Sequence, residues 1–195
     1  MFSIVFAGLI FTLIILTSSK GVDHVFGDSV ISTISVEKFP QAIVFNPANN
    51  NIYVANRDSG TVSIIESTNN TVINNIDVGM SPQAIVFNPA NNNIYAANYG
   101  SGTVSVIGGS NQTLLGNTAV GTEPVALKFN PSNNNIYVAN VVSNSVSIID
   151  SIYNDISETL NINNAPLALT YNPSNNATYV TGTLTGTEGL VTIIH

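Results

Sequence analysis

Cysteine is absent from this chain. That excludes disulfides, thiolate zinc sites, thiol nucleophiles and a cysteine-linked lipid anchor. It leaves the compartment open, since many exported proteins have no cysteine. Charge is scarce as well: 8% of the 195 residues are charged, against about a quarter in ordinary domains. Asn, Ser and Thr carry most of the polarity instead. The four basic residues, Lys20, Lys38, Arg57 and Lys128, are scattered along the chain. Holding a nucleic-acid backbone takes clustered Lys and Arg that displace counterions, so no nucleic acid and no anionic membrane surface is expected as a partner. The net charge of −7 reads as a solubility device. Helical periodicity is missing throughout.

What the chain does have is a period. Pro40, Pro82, Pro124 and Pro166 are 42 residues apart, as are Tyr53, Tyr95, Tyr137 and Tyr179. Asn-Pro pairs begin at Asn46, Asn88, Asn130 and Asn172 with the same spacing. A period of roughly 40–50 residues built from short β-like runs signals a circular or stacked array of small sheets. The fourth copy gains three residues near Thr183–Gly189.

Each copy holds four short apolar runs. In the first they are Gln41–Phe45, Asn51–Asn56, Thr61–Glu66 and Thr71–Val78, here called A, B, C and D. Asn46-Pro47-Ala48-Asn49-Asn50 joins A to B: Pro47 presets a turn, and the asparagines tolerate left-handed backbone. Asp58-Ser59-Gly60 joins B to C, and residues 67–70 join C to D. Loops this short predict a four-stranded antiparallel meander. Runs A and B are nearly continuous in apolar residues, as strands covered on both faces are. Run D is interrupted by Asn74, Asn75 and Asp77, which suits an outer strand. Each fully buried aliphatic contributes about 1.5–3 kcal/mol, so the inner strands carry the stability.

The ends suggest closure. Ser29–Val36 lies one period before Thr71–Val78 and reads as a D strand with no A, B or C ahead of it. Leu190–His195 reads as a C strand with no D after it. Pairing the two would close the ring and hide both sheet edges. Residues 29–195 fill four periods to within one residue, so the expected fold is an all-β propeller of four four-stranded antiparallel blades. Ahead of it, the run from Phe2 to Leu16 is apolar, and Thr17 and Ser19 are small residues placed for a cut before Lys20. About 15 apolar residues are short for a membrane span but suit a signal-peptide core. Residues 1–19 are therefore expected to be a signal peptide or an N-terminal anchor, with residues 20–28 a linker.

The segments Tyr53-Val54-Ala55-Asn56, Tyr95-Ala96-Ala97-Asn98, Tyr137-Val138-Ala139-Asn140 and Tyr179-Val180-Thr181-Gly182 resemble the signature of the YVTN-family β-propeller repeats. The run Ser59-Gly60-Thr61-Val62-Ser63-Ile64-Ile65 is similar to that family's next strand. The resemblance covers residues 29–195. It implies an exported protein of surface-layer type, secreted or held at the cell surface. Such propellers usually have about seven blades. Four blades leave three arrangements open: a complete four-bladed monomer, a fragment of a longer propeller, or a dimer completing an eight-bladed ring.

Candidate sites are few. A hydroxyl nucleophile needs a nearby base, and the histidines, His24 and His195, sit outside the repeat loops. No two acids are placed by spacing for glycoside hydrolysis. No loop has calcium-hand spacing, and Asp58-Ser59-Gly60 reads as a tight turn. The four tyrosines, fixed inside strand B, read as core, each hydroxyl reaching a blade edge. No catalytic residue, metal or cofactor is therefore expected, and the chain is expected not to be an enzyme. Propellers bind through loops at one rim, and the copies disagree there. Phe39, Arg57, Asp58, Met80, Tyr99, Glu123 and Glu188 are the candidate interaction residues, several of them of types enriched at interfaces. The expected function is a structural or protein-interaction module with a protein or cell-envelope partner, touching a membrane only through an uncleaved N-terminus. The alternative is a small-ligand or metal-binding propeller, possibly a degenerate enzyme. Asn69, Asn111 and Asn176 begin N-glycosylation sequons in or beside turns.

Overall fold

Turn chemistry divides the chain as the period predicts. The computed structural model describes residues 29–184 and 188–195; the signal or anchor at 1–19 and the linker at 20–28 lie outside them. Blade 1 comprises β1 (Pro40–Asn46), β2 (Asn51–Asn56), β3 (Thr61–Glu66) and β4 (Thr71–Asp77). Blade 2 comprises β5 (Pro82–Asn88), β6 (Asn93–Asn98), β7 (Thr103–Gly108) and β8 (Leu114–Ala119). Blade 3 comprises β9 (Pro124–Asn130), β10 (Asn135–Asn140), β11 (Ser145–Asp150) and β12 (Asp155–Asn161). Blade 4 comprises β13 (Ala165–Asn172), β14 (Ala177–Thr183) and β15 (Gly189–Ile194). Strands pair antiparallel in chain order within each sheet. The four expected strands of the first copy match the observed ones to within one residue at either end.

The asparagines make the turns. Asn50, Asn92, Asn134 and Asn176 adopt φ of 58°, 59°, 61° and 54° at the end of each A–B turn, a left-handed conformation that asparagine takes at low cost. The Asn46 carboxamide oxygen accepts the Ala48 N–H at 2.9 Å, and Asn88 does the same for Ala90 at 2.8 Å. Such side-chain bonds imitate a backbone turn.

Blades stack through their A strands: β1 lies beside β5, β5 beside β9, and β9 beside β13. One face of each blade meets the opposite face of the next. Between blades 1 and 2, Tyr53, Val62, Ile64 and Ile76 pack on Ile94, Ala96 and Ile107. Tyr95, Val104 and Val106 meet Ile136, Val138 and Ile149 at the next junction, and Tyr137, Val146 and Ile148 meet Val180 and Ile194 at the third. The tyrosine reading holds for Tyr53, Tyr95 and Tyr137, while Tyr179 is only half-buried. Tyr53 and Tyr95 are fully buried, and their hydroxyls accept from Asn49 at 2.8 Å and Asn91 at 3.0 Å at the blade end.

Closure by the chain's own ends is corrected. Ser29–Val36 forms no strand, and Val30 and Ile31 are 88% and 90% exposed. The fourth sheet has three strands among the described residues, so Leu190–His195 has no D strand beside it. The stacking explains why: A-strand contacts run in one line from β1 to β13 and do not return from β13 to β1 in like measure. The four blades form an open array rather than a ring. A second correction follows. Strand β1 has the composition of a doubly covered strand, yet Ile43 and Phe45 remain 67% and 49% exposed.

Candidate functional site

The rim where B–C loops meet the turns entering each A strand is built by one repeated device. In blades 1 to 3 the residue before the A-strand proline is left-handed: Phe39, Ser81 and Glu123 have φ of 57°, 54° and 55°. A bulky residue there is strained, and the position before proline disfavours helical backbone. Hydrogen bonds hold it in place. The carbonyls of Phe39, Ser81 and Glu123 accept the N–H of Arg57 (2.8 Å), Tyr99 (3.0 Å) and Val141 (3.1 Å). The hydroxyls of Ser59, Ser101 and Ser143 accept the N–H of Lys38 (2.8 Å), Met80 (2.6 Å) and Thr122 (3.0 Å). The loops that carry the candidate residues are thereby fixed to rigid sheets.

Beneath this rim, in blades 1 to 3, lies an asparagine at the end of the B strand. Asn98 donates to Thr103 Oγ1 at 3.0 Å and Ser105 Oγ at 2.8 Å, and Asn56 and Asn140 make the same pair of bonds. The Oδ1 atoms of Asn56, Asn98 and Asn140 are buried without a partner. Two of these asparagines are roofed by glycine. A Cβ on Gly79 would lie 2.6–2.8 Å from the Asn98 side chain, and one on Gly121 would lie 2.7 Å from Asn140. Here glycine serves close approach.

Three blades contribute the chemistry. Arg57, from blade 1, lies over the Phe39 ring with its guanidinium carbon 5.4 Å from the centroid, a cation–π pair. Arg57 and Asp58 line a cleft of about 510 Å³ with Met80 and Ser81. Tyr99, from blade 2, donates its hydroxyl to Glu123 Oε2 of blade 3 at 2.5 Å. That pair lines the neighbouring cleft, of about 410 Å³. The hydrogen bond to the Glu123 carboxylate holds the Tyr99 phenol above its usual value. Desolvation and the Glu123 charge add to the rise, and the Arg57 charge opposes it. A cation, a carboxylate and a phenol thus stand along one rim, with exposed apolar surface at Phe39 and Met80. The arrangement can hold a small oxygen-rich ligand, neutralise negative charge and accept a proton.

Of the residues expected from sequence, Phe39, Arg57, Asp58, Met80, Tyr99 and Glu123 come together along this rim. Glu188 lines neither of these two clefts. It closes the fourth B–C loop, its carbonyl accepting the Leu184 N–H at 3.0 Å. Asn69, Asn111 and Asn176 are exposed and lie in turns, at the C–D and A–B ends rather than at this rim. Two features escaped the sequence reading: the serine anchors and the glycine–asparagine contacts. Both were present in the period, since Ser59, Ser101 and Ser143 are 42 apart. No group of His, Cys, Asp or Glu that could hold a metal occurs among the described residues.

A family model described as "Lactonase, 7-bladed beta-propeller" matches residues 29–119, somewhat under half of the chain. No curated protein matches. Among solved structures, the chain resembles "Kuenenia stuttgartiensis Hydrazine Synthase" at 19% identity and TM-score 0.73, over 86% of this chain and 49% of that one. It resembles "Dihydro-heme d1 dehydrogenase NirN in complex with DHE" at 13% identity and TM-score 0.68, over 82% of this chain and 36% of that one. It also resembles a functionally unknown protein from Desulfotomaculum acetoxidans at 17% identity and TM-score 0.68, over 86% of this chain and 61% of that one. The chain thus spans between about a third and three fifths of the length of these neighbours, and at such identities they establish the propeller-like fold. The expectation that the chain is not an enzyme is overturned by the lactonase match, which sets blades 1 and 2 alongside an enzyme family.

Proposed function

We propose that this chain is an enzyme-related propeller that acts on, or binds, a small cyclic ester at the rim formed by Arg57, Tyr99 and Glu123. The observation that carries the reading is the Tyr99–Glu123 hydrogen bond, held between blades in the electrostatic reach of Arg57. The lactonase match supports the substrate class. In this reading Glu123 accepts a proton from the water that attacks the ester carbonyl, Tyr99 orients that carboxylate, and Arg57 offsets the negative charge that develops on the carbonyl oxygen. The test is pH-stat hydrolysis of δ-valerolactone by the purified full chain. Hydrolysis above background is expected, reduced at least about tenfold in Glu123→Gln and Arg57→Ala, since removing one positioned acid–base or charge-stabilising group commonly costs about 100-fold. Background rates, together with no binding of the hydroxy-acid product by calorimetry, would sink it.

The signal-like start and the repeat resemblance extend the proposal to an exported, YVTN-type protein at the cell surface, with a protein or envelope component as a further partner. Phe39 and Met80, 54% and 64% exposed at the rim, are the contact residues this would use. N-terminal sequencing of the native protein should begin at Lys20, and its intact mass should report glycan at Asn69, Asn111 or Asn176. A native N-terminus at Met1 with an unmodified mass would remove export and glycosylation from the proposal.

A further inference from the structure

Away from the rim, the outer strand of one blade approaches the C–D turn of the next. Between blades 1 and 2 the gap is bridged: Asn74 of β4 donates its Nδ2 to the Gln112 carbonyl at 3.3 Å. Between blades 2 and 3 the same place is open. One period on from Asn74 stands Gly116 of β8, where a Cβ would meet nothing within 4 Å among the described residues. A cleft of about 200 Å³ lies there instead. Glycine inside a strand often marks a point where a ligand approaches the backbone closely. Strand β8 is also the outer strand of its sheet, so its outward N–H and C=O groups have no strand beside them among the described residues.

The C–D turn facing this cleft differs too. Blades 1 and 2 read Asn69-Asn70-Thr71 and Asn111-Gln112-Thr113 at the turn, and blade 3 reads Tyr153-Asn154-Asp155. All three residues of blade 3 line the cleft, and Val106, 1% exposed, gives it an apolar floor. Tyr153 is 78% exposed. Asn154 is held by a relay from the buried interior. Asn91 Nδ2 donates to the Tyr95 hydroxyl at 3.0 Å, and that hydroxyl donates to Asn154 Oδ1 at 2.7 Å. The relay fixes which way the carboxamide faces, leaving Asn154 Nδ2 a donor with no partner among the described residues. Thr118 Oγ1 donates to the Asn154 carbonyl at 2.5 Å and ties the turn to β8. Between blades 1 and 2 that tie is missing, because Ile76 stands one period before Thr118.

The cleft thus offers an open aromatic ring, an oriented N–H donor and a carboxylate acceptor. No Lys or Arg lines it, so an anion would meet the Asp155 charge uncompensated. An amine would suit Asp155 and the tyrosine ring but leave the Asn154 donor without an acceptor. A hydroxyl both donates and accepts, so two adjacent hydroxyls satisfy both side chains. We propose that this cleft binds a single hexopyranose ring. Its C–H face lies on the Tyr153 ring, and adjacent hydroxyls bond Asn154 and Asp155. The site shares no residue with the two rim clefts.

Saturation-transfer difference NMR of the full chain with methyl β-D-glucopyranoside and with its galactose epimer tests the site. Transfer is expected, strongest to the axial ring hydrogens of one sugar face. Asp155→Ala removes a charged acceptor and should weaken binding at least about tenfold. Tyr153→Ala should weaken it about three- to tenfold, the usual worth of an aromatic face. The decisive variant is Gly116→Asn. Its side chain should span to the turn as Asn74 does, and should block the sugar at least about tenfold. Circular dichroism should show it folded, because blade 1 carries asparagine at this position. No transfer to either sugar would overturn the proposal, as would binding that survives Tyr153→Ala and Asp155→Ala, or a Gly116→Asn variant that binds like the wild type. Displacement of the glucoside by tetramethylammonium would assign the cleft to a cation and overturn it equally.

Discussion

Strands β1 and β5 have the same seven residues, Pro-Gln-Ala-Ile-Val-Phe-Asn, and do not share an environment. In β5 the proline is buried and the five residues after it are partly covered; in β1 Pro40, Gln41, Ile43 and Phe45 are exposed. The difference is whether a blade stands in front. Local sequence makes the strand, and the neighbouring blade makes the core. Tyr179 teaches the same lesson at the other end, being half-buried where Tyr53, Tyr95 and Tyr137 are buried.

The largest effects should mark the junctions. Ile94, fully buried between blades 1 and 2, should cost about 2–5 kcal/mol on replacement by alanine, the cost of lost burial and a cavity. Ile43→Ala removes the same atoms from an exposed site and should stay within about 0.5 kcal/mol in dilute, monomeric protein. Urea unfolding of both variants measures the contrast. Equal losses would mean that blade 1's outer face is as well packed as a junction.

Much of the fold was legible because the repeat determines it four times over. Strand limits followed from Asn-Pro and Asn-Asn turns, and Asn50, Asn92, Asn134 and Asn176 adopt the left-handed backbone those residues suggest. Closure was not legible. The period gives each strand's rank in its blade, but whether Ser29–Val36 meets Leu190–His195 depends on how the blades stack in space, which no local spacing encodes. The rim was half legible. Disagreement among the copies singled out Arg57, Tyr99 and Glu123 one by one. That Tyr99 reaches Glu123 depends on the packing of blade 2 against blade 3, at a separation of 24 residues.

Glycine substitutions sharpen the comparison at intermediate size. Gly121→Ala would push a Cβ to 2.2 Å from Ser143 Oγ and 2.7 Å from Asn140, and should cost about 1–3 kcal/mol, as overpacking does. Gly116→Ala, on exposed strand β8 with nothing within 4 Å, should be neutral or gain up to about 1 kcal/mol, because glycine weakens strands. At blade 4 the arrangement is reversed: Asn163 stands where Gly79 and Gly121 stand, and Gly182 where Asn56, Asn98 and Asn140 stand. A Cβ on Gly182 would lie 2.5 Å from the Ala165 carbonyl and 2.6 Å from Asn164 Nδ2. The volume has moved from strand B to the entering loop, so Gly182→Ala should also destabilise. If it does not, the swap is incidental.

The smallest effect separates core tyrosines from the rim tyrosine. Burial raises the Tyr53 and Tyr95 phenols above 10.0, with bonds from Asn49 and Asn91 opposing. A phenol is neutral below its pKa, so a raised folded value means that folding favours the protonated form. That contribution is full below the unfolded value of about 10 and is lost as pH rises through the folded value. Unfolding free energy should therefore hold steady up to about pH 10 and decline beyond it, less steeply in Tyr95→Phe. Tyr99 is raised chiefly by its bond to Glu123, so Glu123→Gln should lower the Tyr99 titration and leave those of Tyr53 and Tyr95 in place. A Tyr99 titration unmoved by Glu123→Gln would mean that the rim bond does not form in solution, and the proposed orientation of Glu123 would lose its support.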